Sequence, residues 1–289
     1  MSIDVSPLET IEDLLACENL QEALLGKRSR SVLPAPALAA IRRAGGLLLG
    51  AWSDDAPRRS LLGALVDLPA QADGFAARLT VFLGVGPESI GRGIAQALRH
   101  AERAACLDAD VELVFWWGDP LRSSEAHIAF NKLGAIAPTH VRNALGPVDD
   151  RRNAGLPTDR LRVEWWLNAP RVIGILDEHR PPPHLHYGLD QMQALTRTRS
   201  QANGHRRLVE LEGTPTERLV LVEIPVDLSR LHAEDVTGAV QWRTVSRQAF
   251  ELLFSEGYTI VGCIHEGGRS FHLFERCDRG TVLARSGAP

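Results

Sequence analysis

The sequence predicts an α/β fold, on three observations. Short apolar runs at 47–52, 78–85 and 111–117 have the length and composition of strands. Ile11, Leu14, Leu15, Leu20, Leu24 and Leu25 recur at helical spacing. Glycine pairs or clusters stand where one kind of segment gives way to the other, at 45–46, 91–93 and 267–268.

In chain order, Ser6 and Pro7 read as N-cap and first residue of the opening helix, in capping-box style with Glu9. A second helix runs through 37–44 after Pro36, and Gly45-Gly46 ends it. Residues 47–52 and 59–68 read as a hairpin about a turn at 53–57. The run 78–85 is a strand that enters Gly86-Pro87, and a helix follows over 93–107. The run 111–117 is apolar enough for a central strand. A helix over 123–133 is closed by Gly134 as a C′ glycine, and 161–167 alternates as a strand. A Pro/His-rich stretch over 180–204 reads as an exposed linker with one short helix. It holds His184 and His186, which lack a third metal ligand. Residues 218–224 read as a strand, 239–256 as a helix, and 258–266 with 269–276 as a hairpin across Gly267-Gly268. The expected division is a domain over 1–170, a linker over 171–207 and a C-terminal region over 208–289.

Composition narrows the function. With 44% hydrophobic and 24% charged residues, the 289-residue chain has an ordinary globular balance. A net charge of −4 gives no general drive toward nucleic acid. The polar, acidic N-terminus is unlike a signal peptide and the apolar runs are too short for a membrane span. Four cysteines in no metal-ligand spacing read as free thiols, and the expected compartment is the cytoplasm.

The sharpest local signal is strand, then Ile90-Gly91-Arg92-Gly93-Ile94-Ala95, then helix. Glycines remove the Cβ atoms that keep a phosphate from the backbone, and the first-turn N–H groups with the helix dipole make an anion site. Arg92 adds a charge-assisted contact. An ordinary tight strand–helix turn fits the same residues. No third glycine completes a dinucleotide fingerprint, and no Gly-Lys-Ser/Thr follows for a P-loop.

This turn resembles the acyl-CoA pyrophosphate loop of GNAT N-acetyltransferases, R/Q-x-x-G-x-G/A. Gly93 and Ala95 match, Gly91 is an additional glycine, and Ile90 stands in place of Arg or Gln. Leu83-Gly84-Val85, Asp119-Pro120-Leu121, Ala126-His127, Asn131-Lys132-Leu133-Gly134 and Val163-Glu164-Trp165 resemble a poorly characterised bacterial branch of that superfamily. Glu223-Ile224-Pro225, Trp242-Arg243 and Gly257-Tyr258 resemble its C-terminal extension. The resemblance implies a GNAT-type mixed, mostly antiparallel twisted sheet flanked by helices, plus a smaller α+β C-terminal region. It implies an acetyl-CoA or other acyl-CoA cosubstrate, without a metal, in a V-shaped gap between 78–85 and 111–117. Leu83, Val85, the turn 90–95 and Asn131 are then the cofactor-binding residues.

The activity so implied is N-acylation, by acetyl or succinyl transfer, of a small amine or amino acid. Asp119, Glu125 and His127 lie just beyond the second strand of the gap and are the candidate catalytic residues. Each has a structural reading as well: Asp119 as an N-cap or turn residue, Glu125 as a first-turn charge, His127 as a surface or packing residue. Phe130 stands near the family's thiolate-protonating tyrosine, and Val81 stands at a common histidine. With Ile90, these apolar replacements motivate an alternative, a catalytically silent protein that binds acyl-CoA or a related ligand as sensor or scaffold. The apolar C-terminal strands also fit a homodimer.

Overall fold

The computed structural model describes residues 3–27, 29–53, 60–182, 188, 191–201 and 204–285. The turn expected around 54–57 and the pair His184 and His186 lie outside them. The chain forms two compact units, Met1–Trp116 with Val148–Ala154, and Trp117–Pro147 with Gly155–Pro289.

The first unit contains β1 (Ile3–Pro7), α1 (Ile11–Leu25), α2 (Ala35–Arg43), β2 (Leu48–Ser53), β3 (Leu61–Ala72), β4 (Phe75–Val85), α3 (Ile94–Asp108) and β5 (Leu113–Gly118), which ends just past the boundary. The strands lie in chain order; β1 to β4 are antiparallel and β5 runs parallel to β4. A helical crossover between parallel neighbours is what α3 supplies. Strand alternation gives this sheet two apolar faces. Leu48, Trp52, Ala64 and Val66 pack with Leu14, Cys17 and Leu38 of α1 and α2. Leu49, Ala51 and Leu65 pack with Ile94 and Leu98 of α3. Gly63 lets α3 approach, since a Cβ there would lie 2.7 Å from Ile94 Cγ2 and 3.0 Å from the Gly84 carbonyl oxygen.

The first helix starts later than expected. The Asp13 N–H donates to Thr10 Oγ1 at 3.1 Å, and the Thr10 N–H donates to the Asp13 carboxylate at 2.9 Å. This reciprocal box satisfies orphan donors at the helix start. Ser6 instead pairs with Gly50 in β1, and Pro7 ends that edge strand, where a missing N–H costs no ladder bond.

The second unit begins with α4 (Ser123–Ala126), continued as a π-helical turn over His127–Lys132. There follow β6 (Ile136–Val141), β7 (Arg160–Trp166), α5 (Pro170–Leu176), β8 (Gln193–Ala194), β9 (Thr196–Ser200), β10 (Arg206–Leu211), β11 (Leu219–Ile224), α6 (Leu228–Glu234), α7 (Val236–Ser255), β12 (Tyr258–Glu266), β13 (Arg269–Arg276) and α8 (Arg279–Leu283). Its sheet runs β7-β6-β12-β13-β11-β8, antiparallel except for β11 and β8, while β9 and β10 form a separate hairpin. The β12–β13 turn matches the expectation: Gly267 and Gly268 have φ of 57° and 70°, as a twist-matched two-residue hairpin requires. Strands also occupy part of the stretch read as linker, where Leu195 buries completely. Together the units make a mixed α/β fold of mostly antiparallel strands flanked by helices. Among the described residues, no helix is long and apolar enough to cross a membrane.

Filling the contact at Gly63 tests how α3 is seated. Gly63→Val is expected to cost about 1–3 kcal/mol by overpacking against Ile94 and a backbone oxygen, measured as a lower urea midpoint at unchanged slope; an unchanged midpoint would show that α3 yields freely.

Candidate functional site

In the first unit, β4 and β5 pair from Ala77–Leu113 to Thr80–Trp116. The strand β4 then continues to Val85 without a further pair in that register. The antiparallel register with β3 slips at the same point: Phe82 faces Val66 while Thr80 faces Asp67. Val81 is the extra residue of a bulge and 40% exposed. A bulge adds twist and bends its strand, so β4 turns away where its pairing with β5 ends. A buried polar group sits behind it. The Thr80 hydroxyl donates to Glu102 at 3.0 Å, and Arg99 Nη1 donates to Thr80 Oγ1 at 2.8 Å and to Glu102 at 2.7 Å. The Arg99 guanidinium also lies 4.0 Å from the centre of a Trp116 ring. Burial, and then the neighbouring Glu102, push the carboxyl of Asp67 well above the usual carboxylate range. The group therefore couples the bulge on β4, the helix α3 and the end of β5.

Beyond Val85 the chain makes a 3-10 turn at Pro87–Ser89 and reaches α3 through two left-handed glycines, Gly91 (φ 82°) and Gly93 (φ 78°). Gly93 is the N-cap of α3, and no side chain caps the helix. A Cβ at Gly91 or Gly93 would meet nothing within 4 Å. Ile94 is buried against β3, which fixes the head of α3, while Gly91, Arg92 and Gly93 are exposed. Leu83 and Val85 pack into the apolar layer under α3, so only their backbone is available to a ligand. Ile90 is 72% exposed. The turn is exposed and leads into the uncapped, positive end of a 15-residue helix; within it the Ile90 and Arg92 N–H groups donate to the Pro87 and Ser89 carbonyls, both at 3.4 Å.

In the second unit, one face of the β12–β13 hairpin is polar. Cys263, His265, Ser270 and His272 share it, since 263 faces 272 and 265 faces 270 across the ladder. Residues 119–131 lie against this face. Ser123 Oγ is 2.7 Å from His265 Nε2 and donates to Ser270 Oγ at 3.0 Å. His272 Nε2 donates to the Pro120 carbonyl at 2.7 Å. The rings of His127 and His265 meet edge to face, 5.4 Å between centres. Burial lowers both imidazoles from their usual 6.5, and the neighbouring His265 and Lys132 lower His127 further. Both are neutral at pH 7 and able to accept a proton.

The remaining expected residues have specific surroundings. The Leu121 N–H donates to Asp119 Oδ1 at 2.9 Å, Arg122 Nε lies 3.5 Å from Oδ2, and Arg243 Nη2 donates to Oδ2. Burial would raise the Asp119 carboxyl, but Arg243, with Arg122 and Arg160, holds it far below the usual carboxylate range. Asp119 is therefore a fixed anion that orders a turn and an arginine, rather than a proton acceptor near neutral pH. Asn131 bonds both to β12 and to its own helix: Nδ2 donates to the Cys263 carbonyl at 2.6 Å and to His127 Nδ1 at 3.2 Å, and Oδ1 accepts from the Cys263 N–H at 3.0 Å. The bond pair to β12 is made from the π-helical turn, the kind of helix irregularity that re-aims side chains. Glu125 is exposed and faces Arg160 electrostatically. Phe130 is buried against His272.

His265 and Ser123 were missed from the sequence. The predicted hairpin already implied that 263, 265, 270 and 272 share a face, but nothing local indicated which segment would cover it.

No protein-family model matches the sequence, and no curated protein is similar to it. Solved structures are. The ribosomal-protein-S18-alanine N-acetyltransferase from Escherichia coli has a TM-score of 0.45 at 14% identity, over 57% of this chain and 94% of that one. The ribosomal-protein-S5-alanine acetyltransferase from Vibrio fischeri has a TM-score of 0.46 at 14% identity, over 57% and 93%. A GNAT family acetyltransferase from Brucella melitensis, in complex with acetyl-CoA, has a TM-score of 0.34 at 21% identity, over 41% and 77%.

The burial of His272 sets a pH dependence of stability. Burial pushes its imidazole down to about 4 from 6.5. The unfolded chain takes up that proton near pH 6.5 and the folded chain does not, so the contribution is present above pH 6.5 and lost as pH falls toward 4. Urea unfolding should lose about 2 kcal/mol between pH 7 and pH 5 from this group. His272→Gln should flatten the slope, and an equal slope in that variant would assign the loss elsewhere.

Proposed function

We propose that the chain is an acyl-CoA-dependent N-acyltransferase, transferring an acetyl or succinyl group to a small amine or amino acid. The observation that carries this reading is in the first unit. A parallel strand pair opens at a bulge, and the strand that leaves it feeds the uncapped head of α3 through Gly91 and Gly93. The open gap matches a pantetheine arm, which pairs with strand backbone, and the glycine turn matches a pyrophosphate. Leu83 and Val85 supply backbone groups, residues 90–95 the anion cradle, and Arg92 a charge. Bound acyl-CoA supplies the activated thioester.

Acylation needs an uncharged amine and a destination for its proton as the new C–N bond forms. We assign that proton to the neutral imidazole pair His127 and His265, with Ser123 fixing His265. Glu125, exposed beside Arg160, guides a cationic amine. Asp119 and Asn131 act as positioning groups. The leaving thiolate takes its proton from water, since buried Phe130 has none to give. A silent acyl-CoA-binding protein is the second reading, and the apolar residues Ile90, Val81 and Phe130 favour it.

Two measurements test these assignments. In calorimetry, acetyl-CoA or succinyl-CoA should bind in the micromolar range, on the order of −8 kcal/mol. Gly93→Asp, which keeps a residue type tolerant of the left-handed region, should weaken binding at least about tenfold through charge repulsion; unchanged affinity would misplace the site. With an amine panel, free CoA release should fall on the acid side below pH 6.5. The double variant His127→Ala/His265→Ala should lower kcat about 100-fold or more at unchanged acyl-CoA affinity. Binding without CoA release from any amine would leave the silent reading.

A further inference from the structure

The partners of His127 and His265 decide which nitrogen of each ring carries its proton. Asn131 is the starting point. Its amide lies along the backbone of Cys263 with both ends engaged: Oδ1 accepts from the Cys263 N–H at 3.0 Å, and Nδ2 donates to the Cys263 carbonyl at 2.6 Å. Turning the amide over would set oxygen against oxygen and N–H against N–H, so the strand fixes its orientation. The second hydrogen of Nδ2 then faces His127 Nδ1 at 3.2 Å, one helical turn back. Opposite a donor, Nδ1 keeps its lone pair, and the ring proton of His127 sits on Nε2.

His265 is held the other way round. The Ser123 hydroxyl donates to Ser270 Oγ at 3.0 Å. With its hydrogen spent there, Ser123 Oγ accepts at 2.7 Å from the Nε2–H of His265, which leaves the lone pair of that ring on Nδ1. Cys263 Sγ lies 4.0 Å from this Nδ1. Burial pushes the thiol up to about 12, so it stays uncharged, and it donates weakly to the Ser123 carbonyl at 3.9 Å. His265 is exposed, and His127 is part-buried.

Taking up a proton therefore costs the two rings differently. His265 gains it on Nδ1 and keeps its bond to Ser123. His127 would have to place it against the Asn131 amide, which cannot turn to accept it, so a hydrogen bond is lost and two donors oppose each other. Charge works in the same direction. Burial, then His265 and Lys132, lower the His127 imidazole, whereas burial alone lowers His265. With ring centres 5.4 Å apart, a proton on one ring opposes a second on the other.

We infer that Asn131 is a positioning residue that locks His127 as its Nε2–H tautomer and so divides the pair: His265 takes the proton of the acceptor amine at Nδ1, and His127 presents a neutral N–H donor. A neutral imidazole donor suits an oxygen that gains charge as the C–N bond forms, and makes a poor base. The tautomer stands on the amide geometry alone; the division of catalytic roles rests on the acyltransferase reading.

Long-range nitrogen–proton correlation spectra of the full-length protein, labelled with nitrogen-15 histidine and assigned with His127→Gln and His265→Gln, read the tautomers. Near neutral pH, His127 is expected as Nε2–H and His265 with a bare Nδ1. On acidification His265 should titrate first, with the His127 midpoint at least about one pH unit lower. His127 found as Nδ1–H, or titrating at or above His265, would overturn the assignment. Asn131→Asp sets a carboxylate against Nδ1, and should switch His127 to Nδ1–H and raise its midpoint by about one unit or more. An unchanged tautomer in the folded variant would remove Asn131 as its cause; if that variant does not fold, the wild-type spectra still decide. In turnover with acetyl-CoA and the amine panel, His265→Gln should lower kcat about 100-fold and abolish the acid-side fall. His127→Gln should lower kcat and keep that fall. The reverse pattern would give the proton to His127 and overturn the division. The expected tautomers without CoA release from any amine would keep the role of Asn131 and remove the acyltransferase reading.

Discussion

The first unit depends on where one parallel strand pair stops. Thr80 and Trp116 are the last paired residues of β4 and β5, and the bulge at Val81 against β3 lies immediately beyond them. A bulge in a central strand leaves polar backbone unmatched and needs support from behind. Here Thr80, Glu102 and Arg99 supply it, held against Trp116. Burial, and then Glu102, push the Asp67 carboxyl well above the usual carboxylate range, which favours its neutral form beside them. The same interactions set the direction in which β4 leaves the sheet, and so the direction from which the chain enters the glycine turn.

Seating α3 is the complementary requirement. Gly63 permits close contact, while Ile94 and Leu98 anchor the first turns into the apolar layer. With the helix fixed by its buried face, its head stays open without a side-chain cap. An uncapped helix start forgoes roughly 1 kcal/mol, and a ligand that supplies the missing acceptors recovers it.

In the second unit, burial divides groups of similar chemistry into different roles. Asp119 and Glu125 are both carboxylates beside arginine, but the buried one is locked as an anion and the other faces solvent. Burial lowers the imidazoles of the part-buried His127 and of the more exposed His265 from 6.5, while His272 is withdrawn completely and contributes to acid sensitivity. Cys263 on the same face is pushed up to about 12 by burial, which makes it an inert packing group rather than a nucleophile.

Much of the fold was legible because it is written in local periodicity: the apolar runs of β2, β4 and β5, the two-glycine turn of the last hairpin, and the glycine turn before α3. Local competition misled the reading where two signals overlapped, as when Ser6-Pro7 resembled a helix start and the Thr10–Asp13 box a few residues on was the real one. The π-helical turn was invisible, and the bonds that its Asn131 makes reach a strand 132 positions away. The sequence by itself determined the elements and the glycine turn that opens α3, since both depend on residues adjacent in the chain. Only the tertiary structure decided which titratable groups share a face, which are buried, and that Arg243 and His265 join the segment 119–127. Burial and ion pairing between distant residues set charge state and hydrogen-bond supply, and neither has a local signature.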